Sequence, residues 1–257
     1  MRCKYLDHQI NVRTDGQYRL CCMSLEPEND YNIKTHTPQE WHDSDFHRKT
    51  REQMERGEWP DACTRCEQME KQGLTSQRLK LKAYGPGLSH LDLRLGNSCN
   101  LKCISCWHMS SSSIAEEAIA MQKAGITPLH GILDVPNFNW SSPETFDKLL
   151  ELPIQEVYFT GGEPMMVKHL PAFLERLDPD TQIRFNTNCT IWNPKLEKLL
   201  RKFRMVIMSL SLDATDRRID YIRHGSKWKE IIEPNLHRYG SFAKVDIAPT
   251  VRCLLYT

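Results

Sequence analysis

No stretch of this chain is both long and apolar. The longest such run, Val206–Leu212, is too short and too interrupted by serine to cross a bilayer, which takes roughly 20 apolar residues in a helix. The first residues, Met1-Arg2-Cys3-Lys4-Tyr5-Leu6-Asp7-His8, contain no apolar core of the kind an export signal needs. Charge of one sign is lacking too. With 34 Lys and Arg against 33 Asp and Glu, the formal net charge is +1, which gives no electrostatic case for nucleic acid or a membrane surface. The expectation is a cytoplasmic protein with neither as a partner.

Cysteine, by contrast, is plentiful, at ten in 257 residues. A secreted disulfide framework fits poorly, because such domains are smaller and carry an export signal. Clustered cysteines in a reducing compartment more often serve metals.

Three of them, Cys99, Cys103 and Cys106, are spaced C-x3-C-x2-C. They follow His90-Leu91-Asp92-Leu93-Arg94-Leu95, whose alternation predicts a strand. Gly96 and Asn97 end that strand, which places the cysteines on a loop that can fold around one object. Soft thiolates in threes suit an iron–sulfur cluster or zinc. A closed structural site would want a fourth ligand nearby, and no cysteine follows before Cys189. Three thiolates on a four-iron cube would leave one iron open to a small molecule.

Residues 1–88 form a first region with few strand signals. Gln9–Arg13 and Tyr18–Leu20 flank Thr14-Asp15-Gly16-Gln17, and Asp-Gly between two short alternating runs predicts a hairpin. The hairpin delivers Cys21 and Cys22 at its far end, with Cys3 just before its start. Trp41–Arg56 reads as a helix stopped by Gly57 and Pro60, and Cys63-Thr64-Arg65-Cys66 opens another that runs to Gly73. Cys3, Cys21, Cys63 and Cys66 thus form C-x12-G-x4-C…C-x2-C, a closed four-thiolate site for a cluster or for zinc. Cys22 is a spare, expected to pack as a small hydrophobe.

Tyr84-Gly85-Pro86-Gly87 marks a domain boundary, with residues 89–257 beyond it. There, strand-like and helix-like stretches alternate: strands near Leu91–Leu95, Val157–Thr160, Ile183–Asn188, Val206–Leu212 and Val245–Leu254, with helices between. A long irregular connection runs from Pro128 to Ser142, and helices are expected over Arg217–Ile222 and Trp228–Tyr239. Repeated βα units mean right-handed crossovers and a parallel sheet, open or curled into a barrel. In such sheets ligands gather at the strands' C-terminal ends. Thr160-Gly161-Gly162-Glu163-Pro164, Asn186-Thr187-Asn188 and Ser209-Leu210-Ser211-Leu212-Asp213 all fall there, as do the three cysteines. Gly161 and Gly162 let backbone approach a ligand closely, and Glu163 could accept from an ammonium group. Asn188, Ser211 and Asp213 could bond a ribose or a carboxylate, though Asp213 is also placed to cap the helix near Arg217. Arg184 and His224 are candidate rim charges.

The C-x3-C-x2-C loop after a first strand, with Gly-Gly-Glu-Pro closing a second, resembles the radical S-adenosylmethionine (SAM) superfamily. The N-terminal four-cysteine pattern resembles the SPASM/Twitch auxiliary-cluster module, of the one-cluster Twitch type, here preceding the barrel. The resemblance implies an α/β fold: a partial (β/α)6 barrel with a small N-terminal cysteine-rich α+β module. It implies a [4Fe–4S] cluster on Cys99, Cys103 and Cys106, with SAM chelating the fourth iron. One electron would then cleave SAM to methionine and a 5′-deoxyadenosyl radical that abstracts hydrogen from a substrate. By the family pattern Gly161, Gly162 and Glu163 bind the methionine end of SAM, and Asn188, Ser211 and Asp213 its ribose and carboxylate. A second [4Fe–4S] cluster would sit on Cys3, Cys21, Cys63 and Cys66, and the electron donor would be a reductase or a flavodoxin- or ferredoxin-type protein.

Two places depart from that family. The aromatic before the third cysteine is Ser105 here, with Trp107 and Met109 nearby. The chain stops near its fifth strand, where six units are usual, which reads as a truncated sequence or a barrel completed by another chain. The substrate expectation is a peptide or protein. A sugar or other small metabolite is the alternative, and a metal-bound scaffold without catalysis is the third reading.

Overall fold

The computed structural model of the protein describes residues 1–80, 85–128 and 138–250. Tyr84 of the boundary turn, most of the connection after Pro128, and Cys253 lie outside the described residues. The strands, in chain order, are β1 Gln9–Val12, β2 Tyr18–Arg19, β3 His90–Arg94, β4 Lys102–Cys103, β5 Glu156–Thr160, β6 Gln182–Thr187, β7 Val206–Leu210, β8 Arg223–His224 and β9 Lys244–Ile247. Seven of them form one sheet in the order β2-β1-β3-β5-β6-β7-β9. Every pairing in it is parallel except β1 with β2. This is the α/β architecture with a mostly parallel sheet expected of alternating strand and helix patterns, and it is consistent with the partial barrel that the resemblance implies.

The register sorts the side chains into rows. Ile10, Leu91, Val157, Ile183 and Val206 lie side by side, as do Val12, Leu93, Phe159, Phe185 and Met208. Each is buried, and they share one cluster with Phe146 and Leu149 of helix Pro143–Leu150, Phe173 and Leu174 of helix Leu170–Arg176, and Leu196 and Leu200 of helix Pro194–Leu200. Burying one such side chain contributes about 1.5–3 kcal/mol, so these rows fix which face the helices cover. The alternate rows are polar: Gln9, His90, Glu156 and Gln182, then Asn11, Asp92, Tyr158 and Arg184. They lie on the opposite face, where all but Asn11 line a cavity of about 600 Å³.

The Asp-Gly hairpin forms as expected. Gly16 takes φ +88°, a conformation glycine adopts without steric cost, and Asn11 faces Arg19 across the ladder. Its first strand does more than make a hairpin. β1 lies parallel to β3, Gln9 beside His90, so the N-terminal region extends the sheet of the second. The expected helix Trp41–Arg56 is two, Pro38–His42 and Asp45–Glu55, because Ser44 interrupts the first and caps the second by accepting from His47 N. Trp228–Tyr239 begins with a π-helical turn, Trp228–Ile232, before an α-helix over Glu233–Gly240. β9 covers only the beginning of the stretch expected to be the fifth strand, and residues from 251 on lie outside the described set. No helix is long and apolar enough to cross a membrane among the described residues.

Candidate functional site

The three-cysteine loop leaves the C-terminal end of β3 and is held from two sides. On one side is the exit of β5. Gly162 N donates to Gly96 O at 2.9 Å, and Glu163 N to Ser98 O at 2.7 Å. A Cβ on Gly162 would stand 2.2 Å from Ser98 O, and one on Gly161 2.7 Å from Gly96 O. In the fold the two glycines admit the backbone of the cysteine loop.

On the other side is the serine-rich opening of helix Ser112–Lys123. Ser111 Oγ donates to Leu101 O at 2.7 Å, Ser113 Oγ to Cys99 O at 2.7 Å, and Cys99 N to Ser112 Oγ at 3.1 Å. Three serine side chains at the helix start therefore buckle the loop. Their signal was the serine run itself, which carries no spacing rule pointing to the cysteines. Within the loop itself, β4 pairs antiparallel with β8, with Cys103 opposite Arg223.

Cys99, Cys103 and Cys106 gather with Leu101 into a cluster separate from the main core. Burial pushes all three thiols up from their ordinary range, while the positive charge of Arg223 pulls Cys103 back down. Thiols disfavoured as free thiolates become good ligands once a cation supplies the countercharge. Cys189, the next cysteine in the chain, is turned away: it is fully buried in the main core, its Sγ donating to Ile232 O. The donor set is three soft sulfurs on one rigid loop, and it fits a cluster that needs three protein ligands.

Glu163 is buried beneath this loop. Its Oε1 accepts from Thr187 Oγ1 at 2.8 Å and Met165 N at 3.1 Å, and its Oε2 from Asn188 N at 2.7 Å. Burial pushes the carboxyl up to about 6, and these three donors pull the other way. The carboxylate thus ties the exits of β5 and β6 together. Asn188 points its Nδ2 at Asn100 Oδ1, 3.0 Å away, and at Cys99 Sγ, 3.9 Å away. Ser211 N donates to Thr187 O. Asp213 does not cap the helix Asp216–Ile222, where Thr215 holds the cap position. It makes a buried ion pair with Arg223 at 2.8 Å instead. Arg223 has no motif around it in the sequence, and only the β4–β8 pairing reveals its place. Of the expected rim charges, Arg184 lies on the polar face over the Tyr158 ring, and His224 is exposed. Trp107, near the missing aromatic, is 48% exposed, with Nε1 bonded to Ser110.

The four N-terminal cysteines meet at the other end of the sheet. Cys3 precedes helix Lys4–His8 and β1, Cys21 follows β2, and Cys63 and Cys66 sit at the start of helix Thr64–Lys71. All four line one cavity among Leu6, Leu20, Met54 and Trp59, with Arg78 at its wall. Burial pushes Cys63 up to about 12 and raises Cys3 and Cys21 as well. Cys22, expected to pack, lines the polar-face cavity with Asp92 instead. Cys22 stands past the end of β2, in the turn that follows Cys21.

Comparison with known proteins agrees with this geometry. The model of the radical SAM superfamily matches residues 93–234. A probable GTP 3′,8-cyclase of Methanocella arvoryzae is 29% identical over 141 residues, which is 53% of this chain and 38% of that protein. The GTP 3′,8-cyclase of Mycolicibacterium smegmatis is 29% identical over 52% of this chain and 33% of its own length. The chain therefore spans less than half of these curated relatives. Among solved structures, anSMEcpe with AdoMet bound is 18% identical with a TM-score of 0.43, covering 62% of this chain and 42% of that one. Streptococcus suis SuiB bound to precursor peptide SuiA is 14% identical with a TM-score of 0.40, covering 87% and 40%. The matched residues run from the end of β3 through Arg223 to the start of the last described helix, and so take in the cysteine loop, Gly161–Glu163 and Asp213. The chain belongs to the radical SAM superfamily.

Proposed function

We propose that this chain belongs to a radical SAM enzyme that binds SAM at a [4Fe–4S] cluster on Cys99, Cys103 and Cys106 and takes hydrogen from a peptide or protein substrate. The observation that carries this reading is the three-thiol loop, braced on both sides, with Cys189 turned into the main core. When bound, the cluster and SAM supply one-electron chemistry and a 5′-deoxyadenosyl radical. The chain's own residues orient and enclose. Gly161 and Gly162 let the loop close on β5, Glu163 fixes the loop's floor, and Asn188, Ser211 and Asp213 stand at the strand exits where SAM's polar groups would lie.

Cys3, Cys21, Cys63 and Cys66 are read as ligands of a second, closed [4Fe–4S] cluster of the SPASM/Twitch type, within an auxiliary module of residues 1–88 before a core of residues 89–257. In support, four thiols line a single cavity. Four protein thiolates would leave that cluster no open iron, so its role is electron transfer or support. The reductant would be a reductase or a flavodoxin- or ferredoxin-type protein.

The relatives named GTP 3′,8-cyclase favour a small metabolite as the second reading of the substrate. A triphosphate calls for concentrated positive charge. The polar-face cavity pairs Asp92 and Glu156 with Lys80, Arg184 and Lys244, a mixture that suits a peptide's own mixture of groups better. Anaerobic reconstitution is the test. About eight iron and eight sulfide per chain, and 5′-deoxyadenosine formed under reductant, are expected. Deuterium passing into deoxyadenosine from a labelled peptide, and not from labelled GTP, would select the first substrate. Zinc in place of iron, or equal deoxyadenosine from the Cys99→Ala, Cys103→Ala, Cys106→Ala variant, would overturn the reading.

A further inference from the structure

Arg223 occupies an unusual position for a buried cation. Its backbone is paired with that of Cys103 across the β4–β8 ladder, which holds the side chain beside the thiol. Nη1 donates toward Cys103 Sγ at 3.8 Å, and Nη2 donates to Asp213 Oδ1 at 3.1 Å. Asp213 is anchored in turn, with Oδ1 also accepting from Thr250 N at 2.7 Å. The side chains of both charged residues are nearly inaccessible, at 9% and 1% exposure.

A buried ion pair is a poor way to add stability, because desolvating two charges offsets most of their attraction. This pair is placed to do something else. It delivers a fixed N–H donor and a positive charge to one ligand sulfur. On the opposite side of the loop, Asn188 Nδ2 faces Cys99 Sγ at 3.9 Å. Hydrogen bonds to cluster sulfurs and nearby charge are among the levers that set a cluster's reduction potential.

We propose that Arg223, held by Asp213, is a positioning residue that raises the reduction potential of the cluster on Cys99, Cys103 and Cys106 by donating to the Cys103 sulfur. This rests on the cluster assignment of the preceding section and adds a regulator of its redox poise. The sign follows from charge. Reduction adds negative charge to the cluster, and a cation with an N–H aimed at its ligand favours the reduced state.

The test is an EPR-monitored redox titration of the reconstituted full chain, following the signal that changes when SAM is added. Arg223→Met keeps the bulk and removes both donor and charge. At a fixed reductant potential its reduced-to-oxidised ratio should fall about tenfold, a midpoint about 59 mV more negative for a one-electron couple. Arg223→Lys, which keeps the charge but not the fork, should lie between. Asn188→Ala should shift the midpoint the same way by less. An unchanged midpoint in Arg223→Met with full iron content overturns the proposal. Should Arg223→Met shed iron, Arg223→Lys decides: a lowered midpoint supports the assignment and an unchanged one overturns it. If no signal of the parent protein responds to SAM, the cluster assignment itself has failed, a result distinct from either.

Discussion

The two cysteine sites are built on opposite plans. The three-cysteine site is local, its ligands within eight residues on one loop, and protein hydrogen bonds fix that loop before any cofactor arrives. The four-cysteine site is assembled from afar: Cys3, Cys21, Cys63 and Cys66 come from a helix entrance, a hairpin exit and a second helix start. Loop-closure entropy opposes such an assembly, and a metal centre that crosslinks the segments would offset it. The sites also lie at opposite ends of the sheet, because β2 runs antiparallel to β1 and returns Cys21 to its N-terminal edge, while the other loop leaves the C-terminal edge of β3. At about 3.3 Å per residue, a five-residue strand puts roughly 16 Å between those edges. On the proposed assignment one site is braced and open, the other closed and dependent on its fold.

That contrast can be broken most sharply at Gly162. Gly162→Ala places a methyl group 2.2 Å from Ser98 O, so the cysteine loop must move. Overpacking of this kind costs about 1–3 kcal/mol or more. The variant should lose about half its iron and all deoxyadenosine formation while the four-cysteine site keeps its cluster. The converse is Cys63→Ala with Cys66→Ala, which should also lose about half the iron yet retain SAM cleavage and lose product. Loss of soluble protein from this pair would instead assign the N-terminal site a structural role.

Next in size is Glu163→Ala. It strands the buried donors Thr187 Oγ1, Asn188 N and Met165 N, at about 1–3 kcal/mol for each unsatisfied group. A drop in thermal midpoint with weakened SAM binding is expected. The smallest effect concerns the ground between the sites. Burial pushes the Asp92 carboxyl up to about 6, against the pull of Arg94 and of the hydrogen bond from Asn11. Since the folded state favours its protonated form, this contribution is complete below about pH 4 and is lost as the pH rises through 6. Asp92→Asn, which can still accept from Asn11, should therefore be more stable than the parent by about 2–3 kcal/mol at pH 8 and by about half that at pH 5. Thermal midpoints at the two pH values check it.

Much of this was legible in the sequence where the signal is local. The Asp15-Gly16 turn and the strands around Leu91, Val157 and Ile183 each carry their own physical cause, and the structure follows them. What escaped is what depends on distant partners. Nothing in Gln9–Val12 announces that it joins β3, because a four-residue strand has no register until a neighbour supplies one. That Gly161 and Gly162 receive the cysteine loop is not legible, because that loop lies more than sixty residues earlier in the chain. Arg223 and Ser111–Ser113 are invisible as site residues for the same reason: their roles exist only in the contacts.

The most direct test of the open-versus-closed contrast is the EPR spectrum of each reduced cluster with and without SAM, each isolated by removing the other's cysteines. In the Cys63→Ala, Cys66→Ala protein, SAM should change the spectrum of the cluster on Cys99, Cys103 and Cys106. In the Cys99→Ala, Cys103→Ala, Cys106→Ala protein it should leave the remaining spectrum untouched. A three-cysteine cluster indifferent to SAM, or a four-cysteine cluster that responds to it, would contradict the account.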